Sequence, residues 1–143
     1  MASQYRSIEI FVDGAKLAYE SIVESFVSGN LEQVRWLLSP DVYEDFVQVI
    51  ADRNERDEIR EQTFIGFQVA EIVDAETANG RASIEVRFVA DVISVTRDRE
   101  GRNVAGHPAM VVSIAELWTF ERELRAAEPS WIVTATEPDD IGR

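Results

Sequence analysis

The stretch GHPAMVVSIAELWTFERELRAAEPSWIVTATE, residues 106–137, decides the fold of this chain. Apolar and polar residues alternate over 110–122 and again over 131–136, which predicts two β-strands that each carry a tryptophan. A polar loop containing Glu128-Pro129 joins them. The chain is therefore expected to end in two consecutive strands of an antiparallel sheet.

Two further strands are predicted before this stretch. The first covers Thr63–Val73, with Gly66 as a candidate bulge. The second has an apolar face on alternate residues from Ala82 to Val92. The pair Asn79-Gly80 suits the positive φ angles of a tight turn between these strands, and a second hairpin turn is expected over 98–103.

The first part of the chain predicts three helices. Apolar residues recur every three or four positions from Ile8 to about Val27, and Gly29 is expected to end this helix. Asn30 is expected to cap a short second helix, and Ser39-Pro40 to begin a third. The charged run 52–58 is interpreted as the solvated end of the third helix.

Three helices followed by four meandering strands is an α+β order, with the N-terminal helices packed on a curved four-stranded antiparallel sheet. This arrangement resembles the nuclear transport factor two-like cone, in which a sheet wraps around helices. The length and the 45% apolar content predict a single domain over residues 1–143. Residues 1–7 and 138–143 are expected to be frayed ends.

The charge and the composition exclude several classes of function. Twenty-seven acidic against 14 basic residues give a net charge of −13, which repels nucleic acid and disfavours electrostatic binding to an anionic membrane. The chain has no cysteine, so it has neither disulfides nor thiolate metal sites. No apolar run approaches the ~18 residues that span a bilayer, so the chain as given is expected to be soluble.

Four segments, spread over nearly the whole chain, resemble one family. The family is that of the forty-four-kilodalton adaptor of the mitochondrial inner-membrane translocase and its bacterial relatives. The resemblance is to the C-terminal domain of this adaptor. The segments are Gly14-Ala15 with Ala18-Tyr19-Glu20, LLSPDVYEDF at 37–46, Gly106-His107-Pro108 with ELWTFER at 116–122, and PSWI at 129–132.

The resemblance implies a non-enzymatic adaptor or scaffold at the cytoplasmic face of a bacterial inner membrane. It implies a protein partner from the translocation or chaperone machinery, peripheral contact with the membrane, and no cofactor. The family's chaperone-binding portion normally precedes this domain and is not in this sequence. The first helix carries Arg6 and Lys16 against four acids, which is poor chemistry for binding anionic lipid.

Two groups of residues are predicted to bind ligands or partners. A concave sheet over helices often leaves a pocket, and its aromatic residues are expected to line a site for a hydrophobic ligand. If the first helix lifts from the body, its apolar stripe becomes a face for a partner or the membrane. The pocket residues are Phe64, Phe67, Phe88, Trp118, Phe120 and Trp131, and the helix face is Phe11, Ala15, Tyr19 and Ile22. Trp118 and Trp131 are also expected to stabilise the fold.

No catalytic or metal-binding set is predicted, and the isolated polar residues have simpler interpretations. His107, the only histidine, is interpreted as a surface turn residue. Glu116 shares a strand face with Trp118 and is expected to pair with an arginine such as Arg87. Arg122 lies on the same face, but roughly 20 Å along the strand, too far to be that partner.

Two alternative functions use the same fold. Asp91 with Tyr43 or Tyr19 could serve as the base and donor of a ketosteroid-isomerase-like isomerase or dehydratase, although no spacing brings them together. The other alternative is a carrier of a hydrophobic ligand.

Overall fold

The computed structural model describes residues 2–127 and 130–139, which form two α-helices, a 3-10 helix and an antiparallel sheet. Helix α1 spans Ala2–Ser28 and begins earlier than the predicted Ile8. It ends where the sequence predicts, because Gly29 adopts a φ of 86° and its N–H donates to the Ser25 carbonyl at 3.0 Å. No helix within the described ranges is long and apolar enough to cross a membrane.

A 3-10 helix, Leu31–Leu37, takes the place of the predicted short α-helix. The Asn30 side chain makes no capping hydrogen bond, which corrects the expected cap. A segment this short gains little from α-helical geometry and closes with tighter i→i+3 bonds. The Ser39 N–H then donates to the Val133 carbonyl at 2.9 Å, so this segment is tied to the last strand.

Helix α2 spans Pro40–Glu55 and begins as predicted, since the Val42 N–H donates to Ser39 Oγ at 3.3 Å. The charged run at its end is not wholly solvated. Arg53 is buried, and its Nη2 donates to the Phe26 carbonyl at 3.2 Å. Phe26 lies in the last turn of α1, where carbonyls lack helical partners, so Arg53 caps the first helix from the second.

The described residues form five strands where four are predicted. In sheet order, β1 (Ile59–Ala78), β2 (Arg81–Arg97), β4 (Val112–Glu123) and β5 (Ile132–Pro138) pair antiparallel. The additional strand β3 (Asn103–Gly106) pairs with the end of β2. The alternating pattern does not reveal it, because all four of its residues are exposed.

Glycines and bulges shape the sheet as the sequence predicts at three places. The Asn79-Gly80 turn has φ angles of 54° and 77°. A register shift lies between Phe64 and Gly66, at the expected bulge, and two more follow along β1, which bends the strand. Gly106 has a φ of 75°, and a Cβ there would lie 1.9 Å from the Ser94 carbonyl oxygen, so only glycine fits this turn.

The core lies between α1 and the concave face of the sheet. Ile22 and Tyr19 of α1 pack against Val86, Phe88 and Trp118, and all five are buried. These strand residues are the alternate apolar positions of the predicted strands, so the predicted core face is confirmed.

The C-terminal tail begins later than the predicted Pro138. That residue ends β5, and the next one, Asp139, is buried and paired with Arg87 of β2. At the N-terminus, residues 2–7 of the predicted frayed end lie in α1. Met1 and residues 140–143 lie outside the described part of the chain, so fraying there stays a prediction.

Candidate ligand-binding cavity

A cavity of about 670 Å³ lies between the N-terminal half of α1, the 3-10 helix and the sheet. Its size falls within the roughly 300–1,000 Å³ of typical ligand sites. Most of its walls are apolar side chains from six elements, and the lining includes Phe11, Leu37, Ile72, Ile84, Phe120 and Trp131. It exceeds by several-fold the space that imperfect packing leaves in a core.

Of the six predicted pocket aromatics, only Phe120 and Trp131 line this cavity. Both rings contact Phe11 of α1. The ring centroid of Phe11 lies 5.7 Å from that of Phe120 and 5.0 Å from that of Trp131. The cavity lies at one end of the sheet, and most of its walls come from residues outside the predicted set.

The other predicted pocket residues lie elsewhere. Phe88 and Trp118 are buried in the core, 5.6 Å apart by ring centroid, with Tyr19 packed against both. Phe67 joins this cluster through Tyr19, at 5.2 Å. Phe64 lines a separate cavity of about 380 Å³ next to Tyr19. Helix α1 covers the middle of the concave face, so the central aromatics pack against the helix, and Trp118 also lines a small cavity of about 190 Å³.

The four residues of the predicted helix face also fall into two groups, one that lines the large cavity and one that is buried in the core. Phe11 and Ala15 line the large cavity, whereas Tyr19 and Ile22 are buried beneath the helix, with 2% and 0% of their surface exposed. The exposed apolar residues of α1 are instead Ile8, Ile10 and Leu17. In this structure the predicted face is thus the core face of α1, and it would be available to a partner only if the helix detached.

Among the described residues that line the large cavity, Arg122 is the cation. Arg122, near the end of β4, lines the large cavity, and its guanidinium carbon lies 5.7 Å from the ring centroid of Trp131. Its Nε is buried and has no hydrogen-bond partner among the described residues. Arg122 lies six residues beyond Glu116 along β4, away from it as predicted.

Glu116 pairs with Tyr19, not with the predicted Arg87. The Tyr19 hydroxyl donates to Glu116 Oε1 at 3.3 Å, beside a small cavity of about 190 Å³ that Arg60 also lines. Burial raises the pKa of Glu116, while the Tyr19 hydrogen bond opposes this, and burial together with the Glu116 charge raises the pKa of Tyr19. Arg87 is on the opposite face of the sheet, where it meets Glu71 and Asp139.

Replacing Glu116 with glutamine is expected to flatten the dependence of stability on pH. The folded-state pKa is raised, so above the ordinary glutamate pKa the folded state binds more protons than the unfolded state. The free energy of unfolding of the wild type should therefore fall as pH rises through this window, by at most about 1.4 kcal/mol per pH unit. Urea titrations from about pH 4 upward would measure the difference between the two proteins.

Tyr19→Phe is the companion variant for this test. It removes the hydrogen bond that holds the Glu116 pKa down, so the window should extend to higher pH. Parallel stability curves for the wild type and Glu116→Gln would show that Glu116 does not carry the effect.

The residues of the enzyme alternative do not meet. Asp91 lies on the outer side of the sheet, where its carboxylate accepts from Gln68 at 2.8 Å and from Ser113 at 2.6 Å. The Tyr43 hydroxyl donates to Glu32 at 3.1 Å, and the Tyr19 hydroxyl donates to Glu116. The proposed Asp91–tyrosine pair is thus wrong, because the strand alternation puts Asp91 and Tyr19 on opposite sides of the sheet.

His107 is an exposed turn residue, as predicted. Its Nδ1 accepts from the Ala109 N–H at 3.0 Å, and its own N–H donates to the Ser94 carbonyl. The described residues contain no cluster of three or more side chains that could hold a metal ion.

Sequence reasoning missed Ile72, Ile84, Leu37 and Arg122 as lining residues. The alternation of β1 and β2 places the two isoleucines on the inner face, and Arg122 shares a face with Trp118. These signals identify the correct side of the sheet. They do not reveal which end of that side the helix leaves uncovered.

Comparison with known proteins adds a fold and a family. No curated protein matches the chain. Among solved structures, the intermembrane-space region of the chloroplast protein ARC6 matches with a TM-score of 0.52 and 12% identity, over 84% of this chain and 92% of that one. At this identity the match shows the shared fold alone. The family model described as the Tim44-like domain matches residues 7–138, nearly the whole chain. The chain therefore belongs to the Tim44-like domain family.

Proposed function

We propose that this domain is the binding module of a non-enzymatic adaptor at the cytoplasmic face of a bacterial inner membrane, and that its large cavity holds a hydrophobic ligand. Tim44-like domains are generally non-catalytic adaptors in membrane-associated complexes. The observation that carries the proposal is the 670 Å³ cavity with its mainly apolar walls. Apolar walls of this extent that face water are unfavourable, and a hydrophobic ligand would remove them from water.

The mouth of the cavity supports a role for a protein partner from the translocation or chaperone machinery. Ile8, Ile10 and Trp36, which we call the mouth rim, line the opening and are 50%, 65% and 70% exposed. Exposed apolar residues grouped around one opening are typical of an interaction site. A ligand in the cavity and a partner on the rim would therefore influence each other's binding.

The carrier alternative uses the same cavity and differs in its prediction. A carrier releases its ligand without needing a partner, whereas an adaptor is expected to hold its partner through the rim. Substitution of Trp36 by serine should weaken partner binding if the domain is an adaptor, whereas a simple carrier has no partner for the substitution to affect.

Filling the cavity from Gly14 is expected to abolish ligand binding without unfolding the domain. Gly14 is exposed on α1, lines the cavity, and has open space around the position of a Cβ. Gly14→Phe places a ring into the cavity, and because overpacking costs about 1–3 kcal/mol, affinity should fall about tenfold or more. Binding of dodecanol, a neutral aliphatic probe, would be measured by calorimetry.

Gly14→Ala is the matched control. It should bind dodecanol like the wild type and be more stable by about 0.5–1 kcal/mol, since alanine is the better helix former. The three proteins would also be sedimented with inner-membrane vesicles. Equal dodecanol binding by Gly14→Phe and the wild type would refute the cavity as the ligand site.

A further inference from the structure

Among the described residues that line the large cavity, one is charged, and it suggests what kind of ligand the cavity takes. The other described lining residues are apolar except for Ser7 and Ser130, and Arg122 brings a guanidinium among them. A cation placed on apolar surface is costly unless it is paired or solvated. The ligand is therefore expected to carry a group that binds the Arg122 guanidinium.

Arg122 has no acidic partner among the described residues. Its neighbours along β4, Glu121 and Glu123, point to the opposite face by strand alternation. Glu121 is engaged there, near Arg81 at 3.9 Å and accepting from Thr134 at 2.8 Å. The Nε of Arg122 is buried and makes no hydrogen bond among the described residues, so the guanidinium of this lining residue has an unused donor and no acidic partner there.

The position of the guanidinium is defined by its surroundings. The backbone of β4 is paired on both sides at this point, with Arg122 opposite Ala82 and Glu121 opposite Ile132. The side chain lies by the ring of Trp131, itself a wall of the cavity. A donor held by a paired strand and an aromatic ring is preorganised and loses little side-chain entropy when it binds an anion.

We propose that the cavity binds a single-chain fatty acid, with the aliphatic chain along the apolar walls and the carboxylate on Arg122. This rests on the proposed function of the cavity. A planar carboxylate matches the guanidinium fork, and its single negative charge equals the single positive charge that Arg122 supplies. A phosphate monoester carries about −1.5 to −2 near neutral pH, so it would leave excess negative charge in a protein whose net charge is already −13.

The test compares three probes that share one chain: dodecanoate, dodecanol and dodecyl phosphate, each below its micelle-forming concentration. Wild-type protein should bind dodecanoate about ten- to a hundredfold more tightly than dodecanol, the effect of one charge-assisted hydrogen-bonded pair. Dodecanoate should also bind more tightly than dodecyl phosphate. These comparisons need no variant, so they hold even if a substitution disturbs folding.

Arg122→Gln should remove the preference for dodecanoate while dodecanol binding persists, and Arg122→Lys should keep part of it. Arg81→Gln is the matched control, because Arg81 is an arginine of the neighbouring strand that pairs with Glu121 away from the cavity. Its head-group preference should equal that of the wild type.

The outcomes separate this inference from the proposed function. Equal binding of dodecanoate and dodecanol by the wild type, or an unchanged preference in Arg122→Gln, would overturn the role of Arg122 and leave the hydrophobic cavity standing. Tighter binding of dodecyl phosphate would overturn the assignment to a carboxylate. Failure of all three probes to bind would overturn both the inference and the ligand site itself.

Discussion

Replacing Trp118 with alanine is expected to lower the free energy of unfolding by about 3–5 kcal/mol. Trp118 is 2% exposed and lies at the centre of the concave face. Its ring contacts those of Tyr19 at 4.8 Å, Phe88 at 5.6 Å and Phe120 at 6.3 Å between centroids. The substitution opens a cavity that these rigid neighbours cannot fill, and such cavities account for much of the cost of large-to-small changes.

The other two tryptophans are the controls for this prediction. Trp36 is 70% exposed, so Trp36→Ala should change stability by less than about 0.5 kcal/mol. Trp131 is half-buried and borders the large cavity, so we expect a smaller loss than the 3–5 kcal/mol that the strand pattern alone suggests. Urea unfolding of the three variants would measure the order. A Trp118→Ala protein as stable as Trp36→Ala would contradict the described core.

Replacing Ile22 with alanine is expected to cost about 2–5 kcal/mol. Ile22 has no exposed surface and packs in the main core, on the side of α1 that faces the sheet. This tests whether α1 is an integral part of the domain or an element that lifts easily. If α1 were detached for a substantial fraction of the time, its core residues would contribute little to the stability of the sheet.

Leu17→Ala is the control on the same helix. Leu17 is 67% exposed, so its loss should change stability by less than about 0.5 kcal/mol while the change in helix propensity is similar. Guanidinium unfolding, followed by far-UV circular dichroism and by tryptophan fluorescence, would report the helix and the sheet separately. Equal effects of the two substitutions, or a helix transition well before the sheet transition, would revive a detachable α1.

The structure gives α1 two roles along its length. Its second half, with Tyr19 and Ile22, closes the core, and its first half, with Phe11 and Gly14, forms one wall of the large cavity. A ligand can therefore enter next to the helix while the rest of the helix stays packed. This removes the need for the helix to lift, which the sequence-based hypothesis of a partner face requires.

Local chemistry made much of the fold predictable. Ser39-Pro40 begins α2, Gly29 ends α1, and Asn79-Gly80 makes a turn with positive φ, because each residue type suits one backbone geometry. The alternation over Ala82–Val92 and Val112–Arg122 likewise identified the inner face of the sheet. Where local signals were weak, as at Asn30 and in the exposed strand β3, the predictions were wrong or missing.

The sequence was thus sufficient to predict most of the element types, the buried faces of α1 and the sheet, the absence of thiol chemistry and the resemblance that the family model confirms. Only the tertiary structure decided which aromatic residues face a cavity, that Glu116 meets Tyr19, and that Arg53 caps a helix 27 residues earlier. The physical reason is that alternation and helical spacing specify a side chain's direction, whereas its neighbours depend on how far α1 extends across the curved sheet. Arg122 lies on the same face of the sheet as Trp118. Helix α1 covers Trp118, whereas Arg122 lies beside the open cavity.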